Sequence, residues 1–202
     1  DKGLVLPPKV APIQVVIIPI YKNDEGKDKV LPKVNEIKEN LESKDIRVHV
    51  DDRSGLSPGY KFNDWELKGV PIRIEIGPKD IEKQSIVIAK RYNLEKSSLG
   101  FTEVEKISMI LDEIQVNMLK NAKEQAKTNT IDISDYQEFK LKIDKGGFFN
   151  APWCGKIECE DKIKEETGAE IRVIPFGSEN ENQKCIFCQQ KSVSVPIFAR
   201  GY

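Results

Sequence analysis

Histidine is almost absent from this 202-residue chain, and His49 is the only one. It falls on the polar side of a short alternating stretch, and a lone exposed imidazole gives no basis for a histidine-centred acid/base site. Long apolar runs are missing as well. The longest, Val15-Val16-Ile17-Ile18, stops at Pro19, far short of the ~20 residues that span a bilayer, and nothing resembles an apolar leader. With 32 basic and 33 acidic residues the net charge is −1, so no overall basic field advertises a polyanion. Contact with nucleic acid would have to come from a local patch. No glycine-rich phosphate loop, internal repeat or low-complexity tract is present. Charged residues make up 32% of the chain, which implies a mixed, soluble surface.

Cysteine is scarce and uneven. All four lie after residue 153, as Cys154-x₄-Cys159 and Cys185-x₂-Cys188. Two short loops that each present two sulfurs suit a tetrahedral Zn²⁺, and four cysteines leave no open coordination position, which makes the expected site structural. Two disulfides are the alternative, but they need an oxidising compartment, and the density of cysteine is not that of a secreted scaffold. A thiol oxidoreductase built on Cys185-x-x-Cys188 is a further reading. It fits less well, because that motif should open a helix after a strand.

Hydrophobic periodicity organises the rest. Gln14–Ile20 reads as a buried strand, and Val30, Val34, Ile37 and Leu41 as one face of a helix ending near Ser43. Arg47–Asp51, Ile72–Ile76 and Ser85–Lys90 read as strands, with a short helix over Gly59–Leu67 closed by Gly69. Thr102-Glu-Val-Glu105 predicts a capping box for a long helix reaching about Lys127, and Ser134-Asp-Tyr-Gln137 a second box. Gly146-Gly147 ends that second helix. A charged helix around Cys159–Glu166, a strand Ile171–Phe176 and a last strand Val195–Ala199 complete the cysteine-bearing part. Strands alternating with helices predict an α/β sheet with crossovers, and the change of character near residue 125 predicts two domains, 1–125 and 126–202.

The run from Asp51-Asp52-Arg53 through Pro58-Gly59-Tyr60-Lys61-Phe62 and Trp65-Glu66 to Arg73 and Gly77-Pro78-Lys79-Asp80 is the most distinctive. It admits two readings. Phe62 and Trp65 can be core residues with charges solvating the surface. Alternatively, an exposed Phe62 can stack an unpaired base while Glu66 and Arg73, the latter on an outward strand face, read its edge. Guanine suits that pair, since N1–H and N2–H match a carboxylate and O6 and N7 a guanidinium.

That run closely resembles prolyl-tRNA synthetases of the archaeal/eukaryotic type. So do Asp1-Lys2-Gly3-Leu4-Val5-Leu6-Pro7-Pro8, Ala11–Ile17, the four cysteines and Phe198-Ala199-Arg200-Gly201-Tyr202. The resemblance covers essentially the whole chain and is weakest around Leu94–Ile131. It implies a mixed-sheet α/β anticodon-binding domain, of the type shared with the histidyl, threonyl and glycyl enzymes, followed by a small α/β zinc-binding domain. Residues 1–10 would be a linker. Carried over by position, Phe62, Glu66 and Arg73 would meet the anticodon of tRNA(Pro), with Lys79 and Asp80 nearby. The two adjacent guanines of proline anticodons agree with the pair derived above. The carboxylate of Tyr202 would lie near the aminoacylation site, with Tyr202 itself exposed, mobile or held by a neighbouring molecule when the catalytic domain is absent.

The resemblance also implies what to expect beyond these residues: an upstream class II domain using ATP and Mg²⁺ to ligate proline to tRNA, carrying the homodimer interface of a cytoplasmic enzyme. This chain is accordingly expected to be a piece of a longer protein that binds tRNA without charging it and has no catalytic residue of its own. A non-catalytic synthetase-like accessory or interaction module is the alternative. Such a module is expected to lose the Phe62/Glu66/Arg73 set, and all three are present.

Overall fold

Five buried residues, Val15–Pro19, form β1 at the heart of the first sheet in the computed structural model, which describes residues 3–180 and 182–201. Asn23 then caps α1 (Asp24–Glu42), its Oδ1 accepting the Gly26 N–H at 2.9 Å. The apolar stripe read from the sequence, Val30, Val34, Ile37 and Leu41, is the buried face of this helix, which starts a turn and a half earlier than that stripe. There follow β2 (Val48–Val50), α2 (Pro58–Leu67), β3 (Ile72–Ile76), α3 (Pro78–Glu82), β4 (Ser85–Lys90) and β5 (Lys96–Gly100). A 3₁₀ turn, Phe101–Lys106, leads into α4 (Ile107–Thr128). The predicted capping box at Thr102/Glu105 is displaced: Glu103 Oε2 accepts the Gly100 N–H at 3.2 Å, and the α-helix proper begins at Ile107.

The sheet order is β2-β1-β3-β4-β5, parallel across β2, β1 and β3 and antiparallel from β3 to β5. Val15 and Ile17 of β1 and Ile72, Ile74 and Ile76 of β3 face α1, the 3₁₀ turn and the start of α4 in the main core. Val16 and Ile18 face the other way, against Trp65 and Val70. The two crossover helices therefore cover opposite faces of the parallel part, as period-2 alternation on a doubly covered strand requires.

The described residues divide into one compact unit up to Asn121 and another from Ala122. The second contains β6 (Thr130–Asp132), α5 (Tyr136–Ile143), β7 (Phe148–Asn150), α6 (Ile157–Thr167), β8 (Ala169–Val173) and β9 (Ile197–Arg200). Its sheet runs β6-β7-β9-β8, with β6 and β7 parallel and the rest antiparallel. Phe139 packs edge-on to Phe149 (5.6 Å) and Phe198 (5.8 Å) at its centre. The predicted cap at Ser134 is one residue off, since Asp135 Oδ1 accepts the Glu138 N–H at 2.7 Å. The strand expected to reach Phe176 stops at Val173, after a bulge between Ile171 and Val173. No helix among the described residues is long and apolar enough to cross a membrane.

Candidate nucleic-acid interface and metal centre

Alternation along β3 places Arg73 and Glu75 on the face opposite Ile72, Ile74 and Ile76, the face that α2 crosses. Sheet register sets Val16, Arg73, Ala89 and Lys96 abreast on four adjacent strands. On α2, Phe62 and Glu66 are one turn apart and point to the same place. Three of the predicted residues thus meet. Arg73 Nη1 donates to Glu66 Oε1 at 2.6 Å, and the Arg73 guanidinium carbon lies 4.2 Å from the Phe62 ring centre. Two residues without a predicted role complete the cluster. Glu75 Oε1 accepts from Arg73 Nε (3.1 Å) and Nη2 (2.9 Å), and Lys96 Nζ donates to the same oxygen at 2.8 Å.

Two expectations need correction. Arg73 does not face solvent: only 6% of it is exposed, because α2 covers the strand face that alternation alone leaves open. Its surroundings are nevertheless polar, two carboxylates and the face of a ring, which is how a buried guanidinium is satisfied. Phe62 is half-buried rather than an exposed platform, with one face beneath Arg73. Trp65 is buried, as the core reading of that residue has it. Beside the cluster opens a cleft of ≈190 Å³ lined by Trp65, Glu66, Arg73, Arg91, Leu94 and Lys96, among others. Arg91 Nε donates to the Glu66 carbonyl at 3.0 Å and ties the end of α2 to the β4–β5 connection.

Lys79 and Asp80 line no part of that cleft. They belong to α3, which packs on α1 and β4, and Asp80 Oδ2 accepts the Gly77 N–H at 2.8 Å as the cap of that helix. Lys79 is exposed.

In the second unit the four cysteines converge. Gly155, at φ +81, turns the chain so that Cys154 and Cys159, the latter in the first turn of α6, face one another. The other pair sits on a hairpin tip, where Cys185 N–H donates to the Gln190 carbonyl (2.7 Å) and Ile186 N–H to Pro152 (2.8 Å). All four Sγ atoms lie within 4.8 Å of one another, with Cys154–Cys159 at 3.5 Å and Cys154–Cys188 at 3.7 Å. A tetrahedron with Zn–S bonds of about 2.3 Å has S–S edges of about 3.8 Å. The four thiols are free of disulfides, Cys159 and Cys185 buried and Cys154 and Cys188 half-buried. Burial pushes the Cys159 and Cys185 thiols up, and neighbouring sulfurs add to the rise at Cys159. At Cys188 burial is outweighed by the Gln190 N–H and the other sulfurs, so its thiol lies low. Such a set resists full ionisation until a cation neutralises it, and it is consistent with a structural zinc site.

Residues 14–109 match the family model described as "Anticodon binding domain", and residues 136–202 match "Prolyl-tRNA synthetase, C-terminal". This chain belongs to the prolyl-tRNA synthetase family. It is 48% identical over its whole length to a proline–tRNA ligase of Acetoanaerobium sticklandii and 47% identical to one of Cenarchaeum symbiosum, spanning 42% of each. The crystal structure of the prolyl-tRNA synthetase from Cryptosporidium parvum complexed with L-proline and AMP superposes with a TM-score of 0.88 at 37% identity. All of this chain and 44% of that one are covered. The chain therefore spans less than half the length of these synthetases, and it corresponds to their anticodon-binding and C-terminal portion.

Tyr202, expected to place its carboxylate near an active site, lies outside the described residues. Glu75 and Lys96 escaped the assignment of roles, although both carry a signal. Glu75 shares the face of Arg73 by simple alternation, whereas Lys96 becomes visible only once β5 is recognised.

Proposed function

We propose that the first unit reads the two guanines of a tRNA(Pro) anticodon through Phe62, Glu66 and Arg73, within an enzyme that ligates proline to tRNA with ATP. The observation that carries this reading is the 2.6 Å Glu66–Arg73 pair at the edge of an open cleft. A carboxylate beside a guanidinium offers acceptor, acceptor and donor in a row, the complement of guanine O6, N1–H and N2–H read in the opposite sense. Glu66 retains 37% side-chain exposure and can be reached by an unpaired base. Phe62 supports the guanidinium from beneath and offers its uncovered part for stacking. Lys79, exposed outside the cleft, suits an RNA phosphate, and Asp80 holds the short helix that presents it. The test is binding of this chain to tRNA(Pro) transcripts in which each anticodon guanine is replaced in turn. Loss of about 1–3 kcal/mol per guanine is expected, whereas equal affinity for all transcripts would overturn the reading.

Cys154, Cys159, Cys185 and Cys188 would hold one structural zinc ion, which supplies cross-linking and no chemistry. Cytoplasmic location, homodimerisation and use of ATP with Mg²⁺ are proposed for the longer enzyme, and likeness to the proline–tRNA ligases supports them. In that enzyme the Tyr202 carboxylate is proposed to lie near the reacting centre. Deletion of Gly201 and Tyr202 from it should lower the aminoacylation rate more than tRNA affinity, and unchanged kinetics would remove that role.

A further inference from the structure

The most deeply buried charge in the first unit plays no part in the reading just given. Asp51 follows β2 directly and is wholly buried. Its Oδ2 accepts Trp65 Nε1–H at 2.8 Å and Arg53 Nη2 at 2.7 Å, and its Oδ1 accepts Arg53 Nε at 2.9 Å. Lys61 Nζ, also buried, donates to the Asp51 carbonyl at 3.0 Å. Arg53 extends the network by donating to Asp64 Oδ2 at 2.7 Å, and Lys68 Nζ reaches the same oxygen at 3.1 Å.

The partners on α2 and just beyond it, Lys61, Asp64, Trp65 and Lys68, fall at i, i+3, i+4 and i+7. They are one face of the helix. The adjacent edge carries Phe62 and Glu66. Apolar packing beneath α2 is thin: four buried residues, Val16, Ile18, Trp65 and Val70, against sixteen in the core on the other side of the sheet. Sparse and non-directional packing resists turning of a helix about its axis only weakly, and the Arg91 and Leu4 bonds to the Glu66 and Leu67 carbonyls hold only its last turn. Hydrogen bonds from one face of the helix to a single buried carboxylate fix its rotation. A turn of roughly 20° would carry a side-chain end about 2 Å, given a helix radius of 5–6 Å with side chains. That is enough to part Glu66 from Arg73.

We propose that Asp51 is a positioning residue for anticodon recognition: held by Arg53, it grips Trp65 and Lys61 and so sets the rotation of α2 that brings Glu66 and Phe62 against Arg73. The proposal rests on the reading of Phe62, Glu66 and Arg73 given above.

Two measurements on this chain separate the two ideas. Without RNA, the NMR resonance of the Arg73 Nε–H reports the Arg73 cluster directly. In Asp51→Asn, which keeps the volume but loses the charge and one acceptor, that resonance should shift and exchange faster with solvent. With tRNA(Pro), the ratio of affinities for the two-guanine anticodon over a substituted one should fall roughly tenfold, as expected when one good base-edge contact is misplaced. Arg53→Lys, at an exposed position, keeps a charge with fewer donors and should fall between wild type and Asp51→Asn. It carries the test if Asp51→Asn does not fold. An unmoved Arg73 resonance, or affinities that drop equally for both anticodons, would reduce Asp51 to a structural residue and overturn the proposal. A shifted resonance in a chain whose wild type does not discriminate would sink the base-reading function, and with it a role in recognition, while leaving only the hold of Asp51 on the rotation of α2 supported.

Discussion

Arg73 is paired before any ligand arrives, and this changes what its removal should do. Arg73→Ala takes the counter-charge from Glu66, leaves Glu75, 12% exposed in its side chain, with Lys96 alone, and empties the space above Phe62. A loss of roughly 2–4 kcal/mol in urea unfolding is expected alongside weaker tRNA binding. Arg73→Lys keeps the charge but not the fork, so it should restore most of the stability and little of the discrimination between anticodons. Unfolding and binding curves on the two variants check this together. Asp51 makes a second prediction at this scale. Burial alone would raise its carboxyl pKa, but the bonds from Arg53 and Trp65 outweigh that and hold it well below the usual carboxylate range. A depressed folded-state value means the stabilisation is complete above the unfolded pKa of about 3.9 and is lost as pH falls below it. The stability gap between wild type and Asp51→Asn should therefore be flat from pH 7 to 5 and narrow below about pH 4, as followed by urea unfolding. Of the site itself, the i, i+4 pair Phe62/Glu66 and the alternation that selects Arg73 were legible in the sequence. The burial of Arg73 was not, because alternation tells which residues share a face and not what covers it.

Among elements, those with a strong apolar period were legible: β1, the buried stripe of α1, β3 and β4. The three-residue β2 was also read, within Arg47–Asp51, but β5, β6 and β7 were not. β5, Lys-Ser-Ser-Leu-Gly, is an exposed edge strand held by pairing with β4, and β6 and β7 have three residues each. Capping signals located two helix starts to within a few residues but chose the wrong partner. At Gly100 and Asp135 the competing carboxylate or side-chain oxygen lay close by and had better geometry. The cysteine knuckles were the clearest short signal, and their elements carry a prediction. One knuckle leads into α6 and the other caps a hairpin, so a single ion would tie a helix to a turn 25 residues away. Cys188→Ser should release zinc and loosen the residues after about 145, leaving the first unit folded. Elemental analysis with hydrogen exchange by mass spectrometry tests it, and a metal-free wild type with two disulfides would sink the assignment.

For the molecule as a whole, the small net charge and the pre-formed Glu66–Arg73–Glu75 cluster share a consequence that concerns ions in solution. Affinity for RNA normally falls with salt because cationic side chains displace counterions condensed on phosphates, with a slope of about −0.7 per contact on single strands. An arginine whose charge is already met by two carboxylates, and which addresses a base rather than a phosphate, displaces almost none. Arg73→Ala should therefore lower the affinity at every salt concentration while leaving the slope of log K against log salt unchanged. Lys79→Ala should flatten that slope by less than about one unit. Base identity would then be read by groups nearly blind to ionic strength, and the salt sensitivity of the complex would measure only how firmly the RNA backbone is held.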